Sequence, residues 1–189
     1  MAVAYPPPMT KYVVLLRGIN VGGKNPVPMA RLCEMLEELG YADVVTYIAS
    51  GNVIVRSERG ADRIKREIEA ALPTAFKLHS ELVAVLVLSA AQLRTVVENR
   101  PKGFGDEPGR YHSDAIFLMG IEATAAMPAF KPRPGVDTVW PGDGVIYSQR
   151  LSAERTKSRL SRVAASPMYQ SMTIRSWATT TKLAELVAG

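Results

Sequence analysis

The sequence lacks the residues that several classes of functional site require. Cys33 is the only cysteine, so no intramolecular disulfide can form, and we expect a reducing, cytoplasmic location. The sequence has two histidines, His79 and His112, and together with one cysteine they are too few to predict a metal site. No cofactor is predicted either. No apolar run approaches the ~20 residues of a bilayer-spanning helix, so no membrane partner is expected. The first residues have no basic segment followed by an apolar one, which argues against a secretory signal peptide.

The composition is that of a globular protein whose net positive charge is concentrated near the C-terminus. Of the 189 residues, 47% are hydrophobic and 22% are charged, which excludes a disordered or collagen-like chain. Residues 150–189 contain seven Lys or Arg and two Asp or Glu, an excess of +5 that equals the net charge of the whole chain. This asymmetry predicts an anionic partner or substrate, with a well-solvated basic face as the alternative.

Hydrophobic periodicity predicts two similar halves. Residues 1–10 read as a disordered N-terminal extension, residues 11–100 as a first α+β subdomain, residues 101–111 as a linker and residues 112–189 as a second subdomain with a basic C-terminal segment. The predicted strands are 11–17, 44–49, 53–55, 82–88, 115–119, 136–140, 145–149 and 172–175. The predicted helices are 29–39, 61–71, 89–99, 122–130, 154–165 and 179–187. The fold class is therefore α+β, with two tandem ferredoxin-like (βαββαβ) subdomains, antiparallel sheets and helices on one face.

The loop after the first strand resembles a phosphate-binding loop without completing its pattern. Residues 18–25 read GINVGGKN and match G-x-x-x-x-G-K-[ST] except at Asn25, where the hydroxyl that binds magnesium is missing. Two prolines follow directly and remove backbone donors, and hairpins do not fit a parallel nucleotide-binding sheet. An ATPase is therefore not expected.

A weaker hypothesis remains for the same loop. Gly22 and Gly23 allow the backbone to approach a ligand closely, and Arg17 and Lys24 could then hold an anion. The alternative is a strand-to-helix turn with two solvated charges. For the segment Ser50-Gly51-Asn52, the simplest interpretation is a tight turn between two strands.

Basic residues near the C-terminus form the second candidate site. Arg155, Arg159 and Arg162 are spaced i, i+4, i+7, so they form one stripe if the segment is helical. The apolar positions Leu160, Val163 and Ala164 would then face the core.

A cation–aromatic group follows this stripe. Arg175, Trp177 and Lys182 suit phosphates and a stacked base, while a core anchor is the alternative role for Trp177. No nucleophile has a convincing base beside it, so the sequence nominates no catalytic residue.

Two strings resemble a known family. Residues 12–25, YVVLLRGINVGGKN, are similar to the opening signature of the domain-of-unknown-function family 1697, and residues 46–53, TYIASGNV, are similar to its T-Y-I-x-S-G-N-V signature. The resemblance extends over about residues 11–186. It implies a fold of two α+β subdomains with ferredoxin-like character, and it implies no known activity.

The C-terminal part of the resemblance is looser. Ser158-Arg159-Leu160 stands where the family commonly has S-K-L, and residues 174–179, IRSWAT, stand where it has T-R-N-W-N-T. Two asparagines are thus replaced by Ser176 and Ala178. If those asparagines bind a ligand, this chain binds it more weakly or differently. They could equally cap the last helix, a role that Ser176 can fill.

The leading hypothesis is a protein that binds a phosphate-bearing ligand, foremost a single-stranded nucleic acid. The alternative is an enzyme that acts on a small phosphorylated or carboxylated metabolite in a cleft between the halves, where the signature residues would converge. A third possibility is an interaction module whose basic face meets an acidic protein. The candidate ligand-binding residues are Arg17, Gly18, Asn20, Gly22, Gly23, Lys24, Ser50, Asn52, Arg155, Arg159, Arg162, Arg175, Trp177 and Lys182.

Overall fold

The computed structural model describes residues 8–79 and 83–189. These residues divide into two compact units. One contains the residues up to Leu93 together with Glu185–Gly189, and the other contains Arg94–Ala184. Each unit is an α+β arrangement built on one four-stranded sheet whose neighbouring strands are all antiparallel.

The first unit contains four strands and begins three helices. The strands are β1 (Thr10–Arg17), β2 (Ala42–Tyr47), β3 (Asn52–Ser57) and β4 (Ala84–Ser89), and the helices are α1 (Met29–Glu38), α2 (Ala61–Ala75) and α3 (Ala90–Glu98). The sheet order is β2-β3-β1-β4. The predicted element order is therefore confirmed in this half, although Leu82 of the fourth predicted strand lies outside the described residues.

Alternation along the strands gives this sheet a fully apolar face. Val14 and Leu16 of β1 point to the same side as Val53 and Val85, and all four are at most 1% exposed. The apolar stripes of α1 and α2 complete the core with Leu32, Leu36, Ile64, Ile68 and Leu72. Helix α2 runs four residues past its predicted end and through Pro73, because Leu72 is held in this core.

Side-chain caps at the start of α3 agree with the sequence. The backbone N–H of Gln92 donates to Oγ of Ser89 over 3.2 Å, and the backbone N–H of Ser89 donates to Oε1 of Gln92 over 2.9 Å. This reciprocal pair is a capping box, which satisfies N–H groups that the first helical turn leaves without partners. The predicted cap at Ser89 is confirmed.

The second unit repeats the sheet topology. Its strands are β5 (Tyr111–Leu118), β6 (Asp137–Pro141), β7 (Val145–Leu151) and β8 (Met172–Ser176), and its helices are α4 (Ala123–Ala126) and the start of α5 (Trp177–Ala188). The sheet order is β6-β7-β5-β8. The weak helix predicted before β6 is a single α-helical turn followed by a 3₁₀ turn at Met127–Ala129, which contains the expected interruption at Pro128.

The helix predicted over residues 154–165 is wrong. The segment forms 3₁₀ turns at Ser152–Lys157, Leu160–Ala165 and Pro167–Ser171, and Ser158 between the first two is extended (φ −60°, ψ 143°). The backbone N–H of Arg159 donates to Oδ2 of Asp137 over 2.8 Å, so this donor is diverted from a helix. Leu160 and Val163 are buried three residues apart, as a 3₁₀ turn requires, whereas Ala164 is exposed and does not face the core as predicted.

The strand register separates the second sheet into two faces. Ile116 lies opposite Ile146 and Ile174 on the face that packs against Leu160 and Val163. The other face carries Ala115, Tyr147 and Arg175, which also lie opposite one another. No helix in the described part of the chain is long and apolar enough to cross a membrane.

Candidate anion-binding site

The glycine-rich loop of the first unit ends in a tight reverse turn. The backbone N–H of Lys24 donates to the carbonyl of Val21 over 3.0 Å, and the two residues between them, Gly22 and Gly23, have φ values of 57° and 74°. Two consecutive positive φ values at the centre of such a turn define a type I′ turn, and glycine adopts these φ values without strain. A Cβ on either would meet open space, so neighbouring protein atoms do not require them.

Asparagine side chains hold this loop in place. Asn20 donates through Nδ2 to the carbonyls of Val27 and Ala49, each over 2.9 Å, and its Oδ1 accepts from the backbone N–H of Val27 over 2.8 Å. Asn25, 2% exposed, donates to the carbonyl of Gly18 over 2.8 Å and accepts from the backbone N–H of His79 over 2.7 Å. Both asparagines therefore have structural roles, and Asn25 occupies the position at which a phosphate loop needs a hydroxyl.

The second signature string packs directly against this loop. Gly51 has φ 77°, and a Cβ there would lie 2.9 Å from side-chain atoms of Leu16 and Ile19. Both the backbone conformation and the close packing therefore require glycine. Asn52 is fully buried and donates to the carbonyl of Tyr47 and to Oγ of Ser50. The predicted turn at Ser50-Gly51-Asn52 is thus confirmed as the end of the β2–β3 connection.

Charge at the loop is divided between a buried and an exposed cation. Arg17 ends β1 and is only 9% exposed, whereas Lys24 is exposed at the turn. Gly18, with φ 80°, joins the strand to the loop. The sequence-predicted residues of the first unit are therefore brought together, mostly through hydrogen bonds that stabilise the loop itself.

Five exposed cations of the second unit lie in the loop before β6 and along the 3₁₀ segment, and we call them the basic surface: Lys131, Arg133, Arg155, Arg159 and Arg162. None of them forms an ion pair with a residue in the ranges that the structure describes. Because a 3₁₀ turn has three residues per turn, Arg159 and Arg162 project from the same side. Arg155 belongs to the preceding 3₁₀ turn, so the three arginines do not form the regular helical stripe that was predicted.

Asp137 connects the two segments of the basic surface. Its Oδ2 accepts hydrogen bonds from the backbone N–H of Arg133 over 3.0 Å and of Arg159 over 2.8 Å. Burial opposes ionisation of this carboxyl, but the N–H of Arg159, the Ser158 hydroxyl and the N–H of Arg133 outweigh it, so its pKa lies below the usual value. The carboxylate, 6% exposed, thus fixes the backbone beneath the arginines.

A groove of about 580 Å³ opens on the basic surface. Its charged lining residues are Lys131 and Arg162, both positive, and the remainder is alanine, proline, serine and methionine. Lys131 and Arg133 were not among the sequence-predicted residues. The string KPRP at residues 131–134, a basic pair between prolines, was the signal that could have found them.

The predicted cation–aromatic group is not next to the basic surface. Arg175 and Tyr147 lie on the opposite face of the sheet from the arginine-bearing 3₁₀ turns. Burial lowers the pKa of Arg175 to about 10, and its guanidinium donates to Oγ1 of Thr173 and the carbonyl of Ile174. Lys182 is exposed on α5, about one and a half helical turns after the end of β8.

Trp177 is part of an aromatic cluster in the second unit. Its ring packs edge to face against Phe104 at 5.0 Å and against Tyr147 at 6.2 Å between ring centroids, and the side chain is 9% exposed. Burial raises the pKa of Tyr147 to about 12, and its hydroxyl donates to the carbonyl of Val96. This geometry is that of the core anchor and leaves no ring face for a stacked base.

Among residues 8–79 and 83–189, no group of three or more His, Cys, Asp or Glu side chains is arranged to hold a metal ion. Cys33 is a free, partly buried thiol.

Comparisons with known proteins agree with the fold and leave the activity open. No curated protein matches the chain. A solved structure of a conserved bacterial protein, SP0830, from Streptococcus pneumoniae is similar with a TM-score of 0.79 and 25% sequence identity, covering 95% of this chain and 99% of that chain. Residues 9–147 match the family described as "Protein of unknown function (DUF1697)". These residues include both signature strings, and the chain therefore belongs to the DUF1697 family.

Proposed function

We propose that the protein binds single-stranded nucleic acid on the basic surface of the second unit, chiefly through phosphate contacts. The observation that carries the proposal is the groove of about 580 Å³ whose charged lining residues, Lys131 and Arg162, are both cations. Cations that form no ion pair within the protein attract phosphates at little cost in lost internal contacts. We also propose that the protein acts in the cytoplasm, as expected for a chain with one cysteine.

The proposed binding is independent of base sequence. Proteins that grip single strands usually add aromatic side chains on which bases stack. Among the residues that the structure describes, no aromatic side chain lines the groove, and Trp177 packs within the aromatic cluster. Phosphate contacts therefore account for the affinity, and no base preference follows.

We infer that each unit has the ferredoxin-like fold, since both sheets have the same strand order with antiparallel neighbours. Domains of this topology that recognise RNA use an open sheet face with stacked aromatics. In β5, the consecutive residues Ala115, Ile116, Phe117 and Leu118 are all buried, so both faces are covered there. The proposed interface is accordingly the 3₁₀ segment and the loop before β6, outside the sheet.

The test is fluorescence anisotropy with random single-stranded RNA and DNA at two salt concentrations. The triple variant Lys131→Ala/Arg159→Ala/Arg162→Ala removes three cations of the basic surface. A matched control, Arg66→Ala/Lys77→Ala/Lys102→Ala, removes three exposed cations elsewhere. Each phosphate contact on a single strand contributes roughly 0.7 to the slope of log K against log salt, so the first variant should lower the slope by about 2.

The control variant separates local contacts from net charge. If both variants weaken binding equally, the effect is one of overall charge and the assigned surface is wrong. If neither RNA nor DNA binds at low salt, the nucleic-acid proposal fails altogether. A preference for one base sequence would also contradict the phosphate-based mode.

A second candidate is a small phosphorylated metabolite at the glycine-rich loop. The observation that favours it is that the N–H groups of Gly22 and Gly23 donate no hydrogen bond within the described chain, next to the exposed Lys24. Two amides that donate no hydrogen bond to the described residues, together with one ammonium, suit a single phosphate group. Thermal stabilisation by small phosphorylated metabolites, reduced in Lys24→Ala and unaffected by oligonucleotides, would favour this site, which is compatible with an enzyme.

A further inference from the structure

A separate pocket of about 240 Å³ lies in the second unit, beneath the 3₁₀ turns at Leu160–Ala165 and Pro167–Ser171. Its floor is the face of the sheet that carries Ile116 and Ile174. Its lining shares no residue with that of the groove on the basic surface, so it is a separate site from the proposed nucleic-acid interface.

The strand register divides the pocket into a polar and an apolar end. Ile116 and Ile174 lie opposite one another and, with Leu160 and Val163 above them, form an aliphatic wall. One row further along the same face, Asp114 lies opposite Ser148, and the next row contains Arg150 opposite His112. A side-chain carboxylate and a guanidinium therefore meet the same small cavity beside branched aliphatic groups.

The polar end has hydrogen-bonding groups that residues 8–79 and 83–189 leave available to a ligand. Ser148 is 2% exposed, and its hydroxyl makes no hydrogen bond with a residue that the structure describes. Asp114 Oδ1 lies 3.1 Å from His112 Nε2, while its Oδ2 has no partner within the same ranges. The guanidinium of Arg150 forms no ion pair there either. Ser148 is buried and Asp114 and Arg150 are half-buried, and all three side chains line the pocket, so they can bind the polar groups of a ligand there.

The electrostatics of the pocket favour a partner that carries both charges. Burial raises the pKa of Asp114 above its usual value, although His112 and Arg150 act in the opposite direction. A ligand with only a carboxylate would pair with Arg150 but lie close to the like charge of Asp114. A ligand with only an ammonium would pair with Asp114 but lie close to the like charge of Arg150.

We propose that this pocket binds a small aliphatic zwitterion, of the class of the branched-chain α-amino acids. The ligand's carboxylate pairs with Arg150, and its ammonium pairs with Oδ2 of Asp114 and donates to the Ser148 hydroxyl. The branched side chain packs against Ile116, Leu160 and Val163. The pocket's volume suits a ligand of this size and is small beside the range of drug-sized ligand sites.

The test is an NMR titration of the full chain with three probes of similar shape. L-leucine carries both charges, 4-methylpentanoate carries only the carboxylate, and 3-methylbutylamine carries only the ammonium. The proposal predicts that L-leucine binds roughly tenfold or more tightly than either analogue, since each analogue lacks one charge-assisted contact. Equal affinities of L-leucine and 4-methylpentanoate would overturn it, and so would the absence of binding by all three probes.

Two variants localise the binding without relying on a folding defect. Asp114→Asn preserves the shape of the side chain and should abolish the preference for L-leucine over 4-methylpentanoate. Ala164→Phe adds a ring at an exposed residue that lines the pocket, so it should block all three probes while the fold is retained. Asp143→Asn, in the exposed β6–β7 turn, is the matched charge control. Unchanged L-leucine binding in both pocket variants would place the site elsewhere and refute the assignment.

Discussion

Substituting Gly105 by alanine should drive a methyl group into the indole of Trp177. An added Cβ would lie 2.3 Å from Cδ1 and 2.4 Å from Nε1 of that ring, far inside normal contact distance. The indole cannot retreat easily, because Phe104 and Tyr147 pack against it edge to face. Gly105 also has φ 78°, which disfavours any residue with a Cβ.

Two contributions set the expected magnitude. The left-handed backbone conformation costs alanine about 1–2 kcal/mol, and overpacking a buried cluster costs a further ~1–3 kcal/mol. Gly105→Ala should therefore lower the free energy of unfolding by about 2–5 kcal/mol. Gly103 is a matched control in the same segment, since it has φ 82° and no atom within 4 Å of an added Cβ. Gly103→Ala should cost only the backbone contribution, about 1–2 kcal/mol.

Urea unfolding followed by circular dichroism measures the difference between the two variants. The same pair of glycine substitutions in a Trp177→Leu background should show a smaller difference, because the smaller side chain leaves room for the methyl group. If Gly105→Ala costs no more than Gly103→Ala, the indole is not fixed against Gly105. Trp177 would then not be a core anchor, and its ring would be available to a nucleic-acid base.

Two further substitutions test the loop and the support of the basic surface. Asn20→Ala removes three hydrogen bonds to Val27 and Ala49, so the free energy of unfolding, measured by heat or urea, should fall by about 1–3 kcal/mol. Lys24→Ala, at the exposed turn, is the control and should change it by less than ~0.5 kcal/mol. Equal effects would show that the asparagine does not hold the loop. Asp137→Asn weakens two charge-assisted bonds to backbone N–H groups and should cost about 1 kcal/mol at neutral pH and reduce RNA affinity. The pKa of Asp137 is lower in the folded chain than its ordinary value of 3.8, so the ionised carboxylate stabilises the fold above that value. This stabilisation is lost as the pH falls through the lower folded pKa. The difference in stability between the Asp137→Asn variant and the native chain should therefore vanish in acid. A difference that persists in strong acid would contradict this role.

Most of the strands and α-helices follow from the hydrophobic pattern of the sequence. Leu32, Leu36 and the C-terminal Gly40 define α1 because helical periodicity and a positive φ after the helix are both local properties. The segment at 154–165 is different. Its helical pattern is overridden by Asp137, distant in the sequence, which binds the Arg159 N–H.

The sequence predicts only part of the candidate site, because contacts between residues distant in the sequence also determine which cations lie together. The sequence predicts Arg159 and Arg162 from their charge and their spacing, whereas Lys131 and Arg133 join them through the chain path before β6 and the shared carboxylate of Asp137. Trp177 could not be assigned from spacing, since its aromatic partners come from the segment before β5 and from β7.

Phosphate binding at the basic surface is tested by the salt dependence of single-stranded RNA binding, followed by fluorescence anisotropy. The native chain is compared with the Lys131→Ala/Arg159→Ala/Arg162→Ala variant. We predict micromolar binding by the native chain that weakens steeply with salt, and a slope smaller by about 2 in the variant. The control that removes three exposed cations elsewhere should keep the native slope. Binding of the native chain that is insensitive to salt, or an unchanged slope in the variant, would contradict the claim that phosphates bind the basic surface of the second unit.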